Sequence, residues 1–228
     1  VCGILLVYAA ARHMQETLPV EKQIPLNIRN IGRNYWALLQ HRQFMFYSLA
    51  GGFGSAGLFT YIAGSPRVLI DVYGVDPEYF GFLFGLNALS LIIMSQLSAR
   101  LLNHHSPEKL LKMAQNSIVI AALAGVVLTL AGVLNLWLFM LCLMAFMASQ
   151  GFVLPNSGAL ALNHQGKRLG SASALMGTIQ MLCGTMAGLA ISAWHSDTPL
   201  PMMGLLLVSA AFSWLAGRMA FNRPPKTT

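Results

Sequence analysis

The sequence predicts an all-α membrane protein of six transmembrane helices, and three observations carry that prediction. Five stretches of the 228-residue chain hold no Asp, Glu, Lys or Arg: 43–66, 79–99, 113–166, 169–196 and 198–217. A bilayer core takes about 20 mostly apolar residues of helix, so four of the stretches fit one crossing each. The third, at 54 residues, would make a single helix of about 80 Å at 1.5 Å per residue. It must fold back into two.

Charge placement is the second observation. With six crossings, 13 of the 14 Lys and Arg residues fall on one side of the membrane and only Arg67 on the other. A single helix over 113–166 would instead split them eight to six. Cytoplasmic loops gather Lys and Arg because these resist translocation, so the division places the linker and the C-terminus in the cytoplasm. Composition is the third: 56% of residues are hydrophobic and 9% charged, where soluble domains carry about 25% charged. The net charge of +7 sits in short loops rather than on one folded face, which speaks against nucleic acid as a partner. Membrane lipid, with anionic headgroups, is the expected neighbour.

In order along the chain, residues 1–11 are apolar but too short to span, and read as the end of a truncated transmembrane helix. Residues 12–42 form a cytoplasmic linker. Within it Ile24, Ile28, Ile31, Tyr35, Leu38 and Leu39 recur at helical spacing with Arg29 and Arg33 off the stripe, an amphipathic helix suited to the headgroup layer. A six-helix bundle over 43–221 follows, with helices at about 43–66, 79–102, 110–133, 136–162, 170–194 and 200–221. Residues 222–228 are a basic cytoplasmic tail.

Local signals justify each helix. The first carries Gly51, Gly52, Gly54, Gly57 and Gly64, which weaken a soluble helix but allow close approach of backbones in lipid. Gly51 with Ser55, and Gly81 with Gly85 on the second helix, are small-xxx-small pairs expected to pack. Asp76-Pro77-Glu78 is a helix start, with Asp as cap and Pro in the first turn. Leu134-Asn135-Leu136 makes the minimal turn between the third and fourth helices. Pro155 interrupts the fourth, where Gln150 and Asn156 are too polar for lipid and should face inward. Small residues fill the inner half of the fifth, and Trp194-His195 marks its outer interface. The sixth, the most evenly apolar, is expected to face lipid. Helices one to three and four to six each begin with an interrupted member, a 3+3 pseudo-repeat of the kind that points to a transporter's binding region.

The chemistry in these helices is sparse. No phosphate loop or dinucleotide fingerprint occurs, and no catalytic, metal or cofactor site is expected. Ser55 lacks a base within the membrane to make it a nucleophile. The three cysteines, Cys2, Cys142 and Cys183, lie in apolar segments without metal-site or disulfide spacing and read as small buried side chains. Pumps usually carry an ionisable group within their crossings, and these stretches hold no Asp, Glu, Lys or Arg. Tyr47, Phe53, Tyr61, Asn87, Gln150, Asn156 and Gln180, with Phe59, Phe152, Met176 and Met181 beside them, instead describe a large, mostly apolar cavity with a few hydrogen-bonding groups. Such a lining suits small amphiphilic ligands. Gly54, Gly57, Gly64 and Pro155 are the positions where the helices around it would flex.

Four segments in order resemble a known family. They are Glu16-Thr17-Leu18-Pro19 after a helix end, Ala50-Gly51-Gly52-Phe53 through Gly64-Ser65-Pro66, Pro155-Asn156-Ser157-Gly158 through Leu162, and Gly170-Ser171-Ala172-Ser173 through Gln180. Together they are similar to the carboxy-terminal half of the bicyclomycin-resistance (Bcr/CflA) type drug exporters of the major facilitator superfamily. The resemblance implies a twelve-helix fold of two six-helix halves, with substrate bound between them near the midplane. It implies a drug:proton antiporter of the bacterial inner membrane working by alternating access, with the protons handled by the N-terminal half. The loop over 96–112 keeps only a basic echo of the superfamily's inner-loop motif and lacks its Asp. Two other readings stay open: a carrier of one defined metabolite, such as an amino acid or peptide derivative, and a stand-alone six-helix membrane enzyme or scaffold.

Overall fold

The computed structural model describes Arg12 and residues 28–163, 165–194 and 196–222, the side chains of 28–31 and of Lys167 excepted. The expectations for 1–11, for the tail beyond 222 and for His195 lie outside the described residues. Seven α-helices are described: α1 Ile28–Gln40, α2 Arg42–Pro66, α3 Pro77–Leu101, α4 Pro107–Leu130, α5 Leu136–Leu162, α6 Leu169–Ala193 and α7 Leu200–Phe221. The described residues up to Arg33 belong to one unit and those from Asn34 to a second. In the first, 28–33 are helical. The second holds α2–α7. Here Leu38 is buried with Phe44, Tyr47 and Leu111, whereas Leu39, on the same expected stripe, is exposed.

Short caps fix where the helices begin. His41 Nδ1 accepts from the N–H of Phe44 at 3.2 Å to open α2. Asp76 accepts from the N–H of Glu78 at 3.2 Å, with Pro77 in the first turn of α3. Ser106 accepts from Lys109 at 3.3 Å ahead of Pro107 on α4, and Asn135 Oδ1 from Leu138 at 3.0 Å on α5. Each such side chain satisfies an N–H that the first helical turn leaves without a partner.

Two boundaries differ from the sequence expectation. The α4 helix starts at Pro107 rather than near 110, because Ser106-Pro107-Glu108 is a cap sequence that charge counting treats as loop. After α2 the chain does not enter a loop at Arg67: a π-helical turn, Arg67–Val72, carries it on before Gly74, at φ 66°, reverses it. At this end of the bundle Tyr73 donates its hydroxyl to the carbonyl of Leu134 at 3.0 Å, joining the α2–α3 turn to the α4–α5 turn.

Among the described residues, α3 to α7 are long and apolar enough to cross a membrane; α2, though 25 residues long, is not among these five. Its five glycines lower the mean hydropathy, and in return they let neighbours in. A Cβ at Gly57 would lie 2.7 Å from the Phe146 ring, and one at Gly64 3.0 Å from Ile191. Accordingly α2 packs on α5, α6 and α7, and α5 packs on α2, α3 and α4, while α4 also meets α7. Each triplet's first helix therefore lies against the second and third helices of the other triplet.

The apolar interior falls into two clusters. One gathers Tyr61, Leu69, Ile118, Phe139, Leu143, Phe146, Met202 and Leu206; the other Phe44, Tyr47, Leu111, Val153, Leu160 and Ala172. A polar layer lies between them. Gln115 donates Nε2–H to the carbonyl of Ser213 at 2.7 Å, and Ser213 donates its hydroxyl to the carbonyl of Ala50 at 2.8 Å, so one chain of bonds ties α4, α7 and α2 together. Gly217 leaves the space that the Gln115 amide fills.

The structure corrects one packing expectation and gives another, at Gly81 and Gly85, no partner among the described residues. The α7 helix is not simply a lipid-facing span: Met202, Met203, Leu206, Ala210, Ser213 and Gly217 are buried against α2 and α4, and only a stripe with Val208, Phe212, Leu215 and Met219 is exposed. Its small residues form a packing face that average hydropathy conceals. Gly81 and Gly85 are open: among the described residues nothing lies within 4 Å of a Cβ built on either. They lie on α3, which together with α6 is the least buried of the long apolar helices.

Candidate functional site

Two of the sequence-selected cavity residues, Gln150 and Gln180, meet in an open cleft of about 610 Å³ lined by α2, α3, α5 and α6. The α2 helix contributes Ser55, Leu58 and Phe59, and α5 contributes Gln150, Gly151, Leu154, Pro155, Gly158 and Ala159. Leu91 and Ser95 of α3 form one wall; Met176, Gln180 and Met181 of α6 form the other. No Asp, Glu, Lys, Arg or His is among these lining residues. The surface is therefore apolar with two carboxamides and two hydroxyls, a chemistry that binds by shape, dispersion and a few directed hydrogen bonds.

Glycine makes the cleft's corners. At Gly151 a Cβ would stand 2.5 Å from the carbonyl of Leu91 and 2.8 Å from the N–H nitrogen of Ser95, so α3 crosses α5 backbone to backbone there. A Cβ at Gly184 would meet the Phe59 ring at 2.7 Å, which is how that ring seats against α6. Gly51 faces Ser157 Oγ and Gln180 Nε2, at 2.8 and 3.1 Å from a built Cβ. Pro155 brings no N–H to the carbonyl of Gly151, one turn before it on the same wall.

Of the residues selected from sequence, Gln150 and Gln180 line this cleft, with Pro155 and also Phe59, Met176 and Met181. Gln150 is wholly buried and donates Nε2–H to the carbonyl of Gly54 at 2.6 Å. The remaining five lie elsewhere. Tyr47 is buried with its ring 5.7 Å from that of Phe221. Tyr61 stacks on Phe84 at 5.0 Å and donates its hydroxyl to the Phe84 carbonyl at 3.0 Å. Asn87 donates to the Leu83 carbonyl at 3.1 Å and faces Met140 Sδ at 3.8 Å. Asn156 donates to Ser98 Oγ and to the Phe152 carbonyl, both at 2.8 Å. Phe53 is half-buried and stacks on Phe212 of α7 at 5.0 Å. The Tyr61 hydroxyl and the amide N–H groups of Asn87 and Asn156 are spent on contacts within and between helices, while the two asparagine side-chain oxygens are buried without a partner among the described residues.

Gly54, Gly57 and Gly64 are likewise tightly flanked: a Cβ at Gly54 would meet Gln150 Oε1 at 3.1 Å and Val153 at 3.3 Å. Ser55, read from the sequence as a packing residue, and Ser95 are the polar lining residues that the sequence did not assign to the cavity. A signal for both exists: Ser55 is one turn from Phe59 on α2, and Ser95 one turn from Leu91 on α3, so each shares a face with an apolar lining residue.

The relatives fit this architecture. The model of the Major Facilitator Superfamily matches residues 1–189. The chain is 36% identical over 216 residues to the uncharacterized MFS-type transporter YdgK of Bacillus subtilis, covering 95% of this chain and 53% of that protein. It is 29% identical over 216 residues to a bicyclomycin resistance protein homolog of Haemophilus influenzae, covering 94% and 54%. To the multidrug transporter MdfA of Escherichia coli it is 32% identical over 177 residues, covering 74% and 42%. The chain spans about half the length of the curated relatives it matches. An all-helical bundle of long apolar helices around an uncharged cleft, matched by one family model over most of its length, belongs to the Major Facilitator Superfamily: this is a multi-pass membrane chain of a transporter family related to drug-resistance efflux proteins, not an enzyme.

Proposed function

We propose that this chain is one half of a secondary active transporter that expels small amphiphilic compounds by alternating access, driven by protons. The reading rests above all on the cleft. Its lining combines Met176, Met181 and Phe59 with the Gln150 and Gln180 amides and carries no formal charge, so it favours ligands of varied shape and mixed polarity over sugars or inorganic anions. The names of the related bicyclomycin-resistance and MdfA proteins support efflux.

In this reading α2 crosses the bilayer as well, giving six crossings in two triplets. The reciprocal packing of α2 and α5 supports the 3+3 repeat. The second six-helix half covers the exposed faces of α3 and α6, where Phe82, Ile92, Met181, Leu182, Met186 and Leu189 lie uncovered. The open glycines Gly81 and Gly85 give that half a close approach. Substrate then sits between the halves, and the coupling proton is carried by the half outside this chain. Gly54, Gly57, Gly64 and Pro155 are where α2 and α5 bend as access alternates. The protein resides in a bacterial inner membrane, with its cationic loops in the cytoplasm.

Efflux assays on cells producing the full-length protein test this. Cells lacking their own exporters should resist several unrelated amphiphilic drugs, and a protonophore should abolish the resistance. Transport of a single metabolite and of no drug would replace this reading with a narrow carrier.

A further inference from the structure

A second concavity lies outside the cleft, on the other side of α3. Ser90, Ile93 and Met94 of α3 face it, whereas Leu91 and Ser95 face the cleft. It consists of two cavities that share Met94 and Ala148, one of about 400 Å³ between α3 and α5 and one of about 300 Å³ where Leu110, Met113 and Ser117 of α4 close the same gap. The first reaches Leu86 and the second reaches Leu101. At 1.5 Å of rise per residue the groove runs about 22 Å along α3, longer than one leaflet's hydrocarbon depth of about 15 Å.

Its chemistry is uneven. Along most of its length the groove is apolar, and its hydroxyls are already used. Ser90 donates to the carbonyl of Asn87 at 2.7 Å, Ser117 to that of Met113 at 3.1 Å and Ser149 to that of Ala145 at 2.9 Å. At the end nearest the α3–α4 turn, His105 and Lys109 join the lining, and Lys109 is exposed. Glu108, the one acid on that turn, is not among the lining residues. Lys112 is turned away, with its Nζ 4.4 Å from the Phe221 ring centroid.

We propose that this groove is a binding site for an anionic phospholipid of the leaflet that meets the cationic loops. One acyl chain lies between α3 and α5, and the headgroup phosphate is held by Lys109 with His105. An occupant that is long, apolar and negatively charged at one end is what the groove's length and its single basic end require. The site is separate from the substrate cleft, so it does not depend on which compound the protein moves.

The test uses full-length protein in phosphatidylcholine nanodiscs carrying a photoactivatable acyl chain on either phosphatidylglycerol or phosphatidylcholine, with labelled residues mapped by mass spectrometry. The anionic probe should label peptides bearing Met94, Met113 and Ala148 about fivefold more than the zwitterionic one, the factor expected for one basic contact at the membrane surface. Lys109→Gln, an exposed position, should bring the two probes level. Ala148→Phe should remove groove labelling by both and leave labelling elsewhere unchanged. Equal labelling by both probes in the parent protein, indifference to Lys109→Gln, or absence of label from the groove would each overturn the proposal. So would displacement of the probe by millimolar inorganic phosphate, which would mark a site for the free anion.

Discussion

The side chain of Gln150 on α5 donates to the main-chain carbonyl of Gly54 on α2 at 2.6 Å. The sequence expects both helices to be interrupted, but α2 and α5 run unbroken, and this bond fastens one to the other beside the cleft that Gln150 itself lines. Replacing Gln150 by Leu removes the bond while keeping volume. Interhelical hydrogen bonds in membranes are worth about 0.6 to 2 kcal/mol, and thermal unfolding in detergent should show a loss of that size.

The Gly151 crossing is less tolerant. Gly151→Ala places a methyl group against the main chain of Leu91 and Ser95, which has no side-chain freedom with which to yield. Overpacking of this kind costs about 1–3 kcal/mol, and the folded yield should fall accordingly. Gly85→Ala is the contrast. Among the described residues nothing meets the added methyl, so a loss of stability or transport in the full-length protein would report contact with the second half.

Cleft side chains should alter selectivity before stability. Gln180 and Met176 are only half-buried, so Gln180→Ala and Met176→Ala leave the fold intact. Drug-susceptibility profiles should shift several-fold for some compounds and little for others. Uniform loss across all compounds would argue against a contact role for these two residues.

Topology has a direct readout. Single cysteines at Lys109 and Lys167 should react with a membrane-impermeant thiol reagent from the same side, and one at Arg67 from the opposite side. Reaction of Lys109→Cys and Lys167→Cys from opposite sides would remove the six-crossing arrangement.

At the end of the bundle where Tyr73 meets Leu134, Tyr73→Phe deletes one hydrogen bond and keeps the ring that packs 5.1 Å from Phe139. A cost of about 1 kcal/mol is expected, seen as a lower midpoint of unfolding with cleft-dependent transport unchanged.

How far the sequence could be read follows from these contacts. Helices and turns were legible because charges, caps and prolines act locally: Asp76-Pro77 and Asn135 mark their helix starts in structure as in sequence. The candidate cavity was only partly legible. Tyr61, Asn87 and Asn156 carry the same mixture of polarity and bulk as Gln180, yet their partners are backbone or side-chain atoms of the bundle itself. Which side of a helix meets a neighbour and which meets an opening is set by tertiary packing, and no single helix encodes it. The burial of α7 was hidden for a similar reason, since Ser213 and Gly217 fit Ala50 and Gln115 on two other helices.

Proline at 155 has a consequence for how the cleft can vary. Side chains around it can change from one sequence to another and alter its contour, but the oxygen of residue 151 belongs to the main chain and outlasts them all. Only an exchange at 155 itself, by supplying the amide hydrogen that the ring withholds, would hand that oxygen back to the helix.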